Sequence, residues 1–199
     1  GVSRSRLAGA VAKEGGIGVI STAQIGYDEE NFEKNPAECN CRAIIKHIAQ
    51  AKEIAGGNGL VGVNIMVALK HYRQHIETAV EAGADVITIA DPSGTGEILG
   101  PRFFKEFAVR YINQLLDGLA DLHVETIVHI CGHMKNVYKE VSEVHSNALS
   151  FDSAVPMMDA RRNLADRVLM GNVSTYTLEF GSEEAVRRLA WNCIKCGSD

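Results

Sequence analysis

Val86-Ile87-Thr88-Ile89-Ala90-Asp91 is an apolar, β-branched run that stops at a carboxylate. Short runs of this kind read as buried strands. The arrangement recurs on both sides of it. Ile17 to Ile20 ends in Ser21 and Thr22, and Leu60 to Val63 ends in Asn64. Thr126 to Val128 runs into His129 and Cys131, Ala148 to Phe151 ends in Asp152, and Val168 to Gly171 ends in Asn172. Strands that all finish in polar groups, with helices between them, belong to a (β/α) barrel or a doubly wound sheet whose site lies at one rim. The functional residues are therefore sought among these strand ends.

The intervening segments read as helices. Ser5 to Lys13 is closed by Gly15-Gly16. Asn35-Pro36 reads as an N-cap and a first-turn proline ahead of a helix to Ala55, with Ile44, Ile45, Ile48 and Ile54 as its apolar face. Tyr72 to Ala82 ends at Gly83. Phe103 to Leu119 carries a stripe of Phe104, Phe107, Ala108, Tyr111, Ile112 and Leu115. Met134 to Val144 and Met157 to Leu164 follow, and Ser182 caps a last helix with Glu183 and Glu184 in its first turn. Because every link between strands holds a helix, the sheet is expected to be parallel.

The bulk properties exclude several classes. At 199 residues the chain suffices for one domain, residues 1–199, with a substantial core. No segment is apolar enough to cross a membrane, and the first residues lack the apolar core of a signal peptide. With 20 basic and 25 acidic residues interspersed, the net charge of −5 argues against nucleic acid as a partner. Five cysteines, an odd number at irregular spacing, point to a reducing, cytoplasmic setting. The alternation begins with a helix and stops where another strand is due. A complete eight-unit barrel takes about 250 residues. The expected fold is thus an α/β, TIM-barrel-like one of about six parallel strands, without the first and last strands of a barrel.

Two family resemblances divide the chain. Leu7-Ala8-Gly9-Ala10-Val11-Ala12, Gly15-Gly16-Ile17-Gly18-Val19-Ile20-Ser21 and Gly62-Val63-Asn64-Ile65-Met66, with Gly1-Val2-Ser3, resemble the nitronate monooxygenase (2-nitropropane dioxygenase) family. Ala90-Asp91-Pro92-Ser93-Gly94-Thr95-Gly96-Glu97-Ile98-Leu99-Gly100-Pro101, His129-Ile130-Cys131-Gly132-His133, Leu149-Ser150-Phe151-Asp152 and Met170-Gly171-Asn172-Val173 resemble the uroporphyrinogen decarboxylase superfamily. Within it they are similar to the methylcobalamin:coenzyme M methyltransferases. The two likenesses meet near Gly83-Ala84-Asp85-Val86-Ile87. They describe a hybrid with a monooxygenase-like part, residues 1–87, and a methyltransferase-like part, residues 88–199.

His129 and Cys131 are the sharpest pair, because strand residues two apart face the same side. An imidazole and a thiolate together make half of a zinc site; read from the residues alone, they are equally a half-buried polar group and a small apolar one. The second resemblance implies zinc ligation by both and the transfer of a methyl group from a methylated corrinoid protein or methylcobalamin to a small thiol. The family's third ligand comes from a strand this chain lacks, and Cys193 and Cys196 do not match it. Asp91, Asp152 and Asn172 either position substrate or cap the loops that follow them. The first resemblance implies that Asn64 contacts FMN, with Ser21 and Thr22 candidates for the same pocket. His133 is a candidate neighbour of the metal pair, while His47, His71, His75, His123 and His145 are expected on solvated faces or loops. Three functions compete: the zinc-dependent methyltransferase, an FMN-dependent nitronate monooxygenase, and an inactive truncated hybrid. The edges Ile17 to Ser21 and Val168 to Asn172 favour self-association.

Overall fold

The computed structural model describes residues 3–66, 70–91 and 94–197. The chain forms two compact units, one of residues 1–90 with 119–126 and the other of residues 91–118 with 127–199.

The first unit runs through α1 (Ser5–Lys13), β1 (Ile17–Ser21), α2 (Pro36–Ala55), β2 (Leu60–Ile65), α3 (Tyr72–Glu81) and β3 (Val86–Asp91), whose last residue belongs to the second unit. Its strands are parallel. β1 pairs with β2 from Ile17↔Leu60 to Ser21↔Asn64, and β2 pairs with β3 from Gly62↔Val86 to Ile65↔Ile89. Small residues let α1 approach the sheet closely: Ala8 and Ala12 are fully buried, and a Cβ at Gly18 would run into the Ala8 carbonyl. Helix α2 buries Ile44, Ile48, Ala51 and Ala55, a single stripe at helical spacing. Ile45 and Ile54, expected on that face, are turned outward, since a step of one residue rotates a side chain by roughly 100°. Asn35 precedes α2 but its side chain makes no cap, although its carbonyl accepts from Cys39 N–H. Gly56 closes the helix in the left-handed conformation, its N–H bonding the Lys52 and Glu53 carbonyls. The Asp85 carboxylate then ties α2 to β2, accepting from Lys52 Nζ at 2.9 Å and Val61 N at 2.8 Å.

The second unit holds α4 (Gly96–Phe103), a π-helical turn (Phe104–Val109), α5 (Arg110–Asp117), most of β4 (Glu125–Ile130), α6 (Tyr138–Val141), β5 (Ala148–Phe151), α7 (Met157–Asn163), β6 (Val168–Met170), α8 (Thr175–Phe180) and α9 (Glu183–Gly197). β4 pairs in parallel with β5 from Ile127↔Ala148 to Ile130↔Phe151, and β5 with β6 from Ala148↔Val168 to Ser150↔Met170. The long helix expected from Phe103 begins earlier and is interrupted. Pro101 lacks an N–H and disfavours a helical residue before it, and Gly100 takes φ 66° there. Of the expected stripe, Phe104, Ala108 and Ile112 are buried, joined by Leu116, while Phe107 and Tyr111, beside the π turn, are exposed. Met134 to Val144 is helical only over Tyr138–Val141, and the unexpected α8 stands between β6 and α9. Ser182 caps α9 as expected, accepting from Ala185 N–H at 3.2 Å.

Six parallel strands alternating with helices thus form the α/β fold read from the sequence. No helix among the described residues is long and apolar enough to cross a membrane. All five cysteines are free thiols.

Candidate functional site

The second unit draws together the ends of its strands. His129 sits near the end of β4, opposite Ser150 of β5 in the parallel register, and its Nδ1 lies 3.0 Å from Ser150 Oγ. Cys131 follows the last residue of β4, with its backbone N–H donated to the Asp91 carbonyl at 3.4 Å. Asp91 in turn accepts Gly94 N–H on Oδ1 at 2.8 Å. A Cβ at Gly94 would strike the Asp91 carboxylate, so only glycine lets this loop close on it. Pro92 and Ser93 of the same motif lie outside the described residues.

Asp152, just past β5, is held by the loops around it. One carboxylate oxygen accepts Ala154 N–H at 2.9 Å and the other accepts Gly132 N–H at 3.4 Å. Ala154 N–H chiefly holds this carboxyl below the usual range, with Gly132, Ser153 and His129 adding and burial opposing. Asp152 is therefore an anion. Its charge reaches both members of the His129–Cys131 pair. Burial lowers the His129 pKa, which Asp152 partly offsets, so the imidazole is neutral at neutral pH. Burial first, then the Asp152 and Asp91 carboxylates, push the Cys131 thiol upward. The arrangement is a protonated thiol and a neutral imidazole with two carboxyl groups close by.

Asn172 is committed to backbone. Its Nδ2 donates to the Asp152 carbonyl at 2.8 Å and the Val155 carbonyl at 2.6 Å, and its N–H points at Cys193 Sγ, 3.3 Å away. It thus fixes the loop that carries Asp152, and it brings Cys193 of α9 beside that loop. His133 stands 3.9 Å from Glu97 as an exposed pair. Sequence reasoning did not single out Ser150, which orients His129. The register of two neighbouring strands, invisible without pairing, is what places it.

His129 and Cys131 supply two donors suited to zinc, a neutral imidazole and a sulfur. Among the described residues no group of three or more His, Cys, Asp or Glu side chains is arranged to hold a metal ion. A catalytic zinc ordinarily takes three protein ligands. These residues do not complete a zinc site.

Ser21 and Asn64 lie in the first unit as register partners of β1 and β2. The Asn64 carbonyl accepts from Thr22 N–H and from the Thr22 hydroxyl, which is thus spent on the backbone. Asn64 Oδ1 is buried without a partner among the described residues. Two histidines expected in solvent are buried instead. His47 bonds Ser5 Oγ through Nδ1 at 3.0 Å, and His75 is 2% exposed on the inner side of α3. Both occupy the buried side of an amphipathic helix, where desolvation lowers their pKa.

Known proteins give the family. The uroporphyrinogen decarboxylase (URO-D) family matches residues 64–199, and the chain belongs to that family. The methylcobamide:CoM methyltransferase MtbA of Methanosarcina acetivorans is 29% identical over 202 residues, covering 96% of this chain and 59% of MtbA. MtbA of Methanosarcina mazei is 32% identical over 147 residues, covering 71% of this chain and 43% of that protein. The chain therefore spans about three-fifths or less of these relatives' length. In fold it is similar to a methyltransferase from Methanosarcina mazei, with a TM-score of 0.63 at 19% identity, covering 84% of this chain and 61% of the other. The family match starts upstream of the seam expected near Gly83, and the similarity to the first MtbA runs through it. These comparisons lend no support to a nitronate monooxygenase segment.

Proposed function

We propose that this chain is a methyltransferase of the URO-D family that moves a methyl group from a methylated corrinoid, free or protein-bound, to a small thiol. The observation that carries this reading is the β4–β5 rim, where His129, Cys131 and Asp152 converge within a family match that includes them all. The substrate sulfur forms a bond to the methyl carbon, the carbon–cobalt bond breaks with its electron pair left on cobalt, and the thiol proton goes to a base. Neutral His129 and ionised Asp152 are the groups suited to receive that proton. Val128, Ile130 and Leu149, all fully buried, form part of the apolar core on which this rim stands. The five free cysteines suit the reducing, cytoplasmic setting expected of such a thiol enzyme.

The test is to incubate the purified chain with methylcobalamin and coenzyme M. The reading expects S-methylated thiol by mass spectrometry, with loss of the methylcobalamin absorbance at the same rate. Product formation no faster than without protein would reject it. A second reading, flavin at Asn64 and Ser21, rests on the unpartnered Asn64 Oδ1. It predicts a yellow protein with a flavin absorbance band, and a colourless one after refolding with excess FMN removes it. Self-association would proceed through β6, where Val168 at the strand start is 64% exposed. Elution as a monomer at all concentrations on gel filtration would refute that.

A further inference from the structure

The geometry points to Thr95 as a substrate-binding residue of this site, its hydroxyl a hydrogen-bond contact for the thiol substrate. This inference rests on the methyltransferase reading and adds a residue to it. Thr95 precedes α4 in the N-cap position, yet its side chain caps nothing. The residue is 5% exposed, and its Oγ1 is buried without a partner among the described residues. Of the buried side-chain atoms in that condition, it is the one in the second unit. An unpaired buried hydroxyl destabilises a fold, so one kept on a side chain that packs against the turn after Cys131 suggests a partner that arrives with the ligand.

Its surroundings agree. The Thr95 side chain lies against Gly132: a Cβ built there would meet Thr95 Cβ and Cγ2 at 3.1 Å, and Glu97 Oε1 at 2.9 Å. Gly132 is the residue after Cys131, and its N–H reaches the Asp152 carboxylate. Thr95 thus packs on the turn that carries both the thiol and the anchor of the carboxylate. Glycine at 132 leaves room for it to do so. A hydroxyl both donates and accepts, so it suits the polar end of a small thiol next to two carboxylates, where an acceptor alone would not.

The test compares wild type with Thr95→Val and Thr95→Ser, using coenzyme M as the probe in calorimetric titrations and melting each protein without ligand. Thr95→Val should weaken binding roughly three- to tenfold, as loss of one hydrogen bond does. Its melting temperature should be unchanged or raised, because the methyl replaces an unpaired hydroxyl. Thr95→Ser should bind as wild type does. If wild type binds and Thr95→Val binds equally well, the assignment of Thr95 is overturned while the methyltransferase reading stands. A lowered melting temperature for Thr95→Val would make the hydroxyl structural and overturn it too. No binding by wild type would remove the methyltransferase reading, and Thr95 with it.

Discussion

Cys131 shows how one residue can carry the right element in an unready form. Its sulfur is the atom a metal or an alkyl group would seek, but burial and the Asp152 and Asp91 carboxylates hold the proton on it. Below its raised pKa the thiol persists, and thiolate appears only as pH climbs past the usual thiol range. Removing a neighbouring negative charge must favour the thiolate and bring that transition down. Peptide-resolved alkylation of Cys131 against pH should therefore show a raised midpoint in the wild type and a lower one in Asp152→Asn. An unchanged midpoint would mean that the carboxylate does not face the sulfur. The same residue defines the limits of metal binding. Two donors hold zinc weakly, so the chain should keep no stoichiometric zinc after dialysis against EDTA. One zinc per chain that survives dialysis and is lost in Cys131→Ser would show that a further ligand exists. The sequence disclosed His129, Cys131, Asp91 and Asp152 because each ends an apolar run. It did not disclose Ser150 or Thr95, since a serine inside a strand and a threonine in a glycine loop look like ordinary polar filler until their partners are placed.

At the scale of elements, the strands were read from the sequence nearly to the residue, and the helices less so. Ile17–Ser21 and Ala148–Phe151 have the bounds expected, because both are short apolar runs with sharp polar ends. The helix expected over Phe103 to Leu119 differs for local reasons: a helix already begins at Gly96 with a break at Gly100-Pro101, and a π turn over Phe104–Val109 leaves Phe107 and Tyr111 of the expected stripe exposed. Helix α8 escaped notice because it buries none of its residues and so leaves no apolar period. Close packing of elements is where sequence and structure meet most tightly. Gly18 lies under α1, and a methyl group there must displace the Ala8 carbonyl. Gly18→Ala should cost roughly 1–3 kcal/mol in urea denaturation, the usual penalty of overpacking. Stability equal to wild type would show that α1 does not press on β1 at Gly18.

For the whole molecule, alternation of strand and helix was enough to give the fold class, and the strand ends gave the candidate residues from which the proposed site in the second unit is built. The hybrid reading fared differently. Its methyltransferase part agrees with the family to which the chain belongs, whereas similarity to MtbA continues across the expected seam. Short glycine-rich strand–loop motifs such as Gly15-Gly16-Ile17-Gly18 arise wherever a helix must press on a parallel strand, so they report packing as much as ancestry. The central claim of the proposal is that methyl transfer takes place where β4 and β5 end. The rate of coenzyme M methylation from methylcobalamin, measured for wild type, His129→Gln and Asp152→Asn with circular dichroism confirming the fold, tests this directly. Wild-type turnover with at least a roughly tenfold loss in both variants is the predicted result. Folded variants that methylate the thiol as fast as wild type would contradict it.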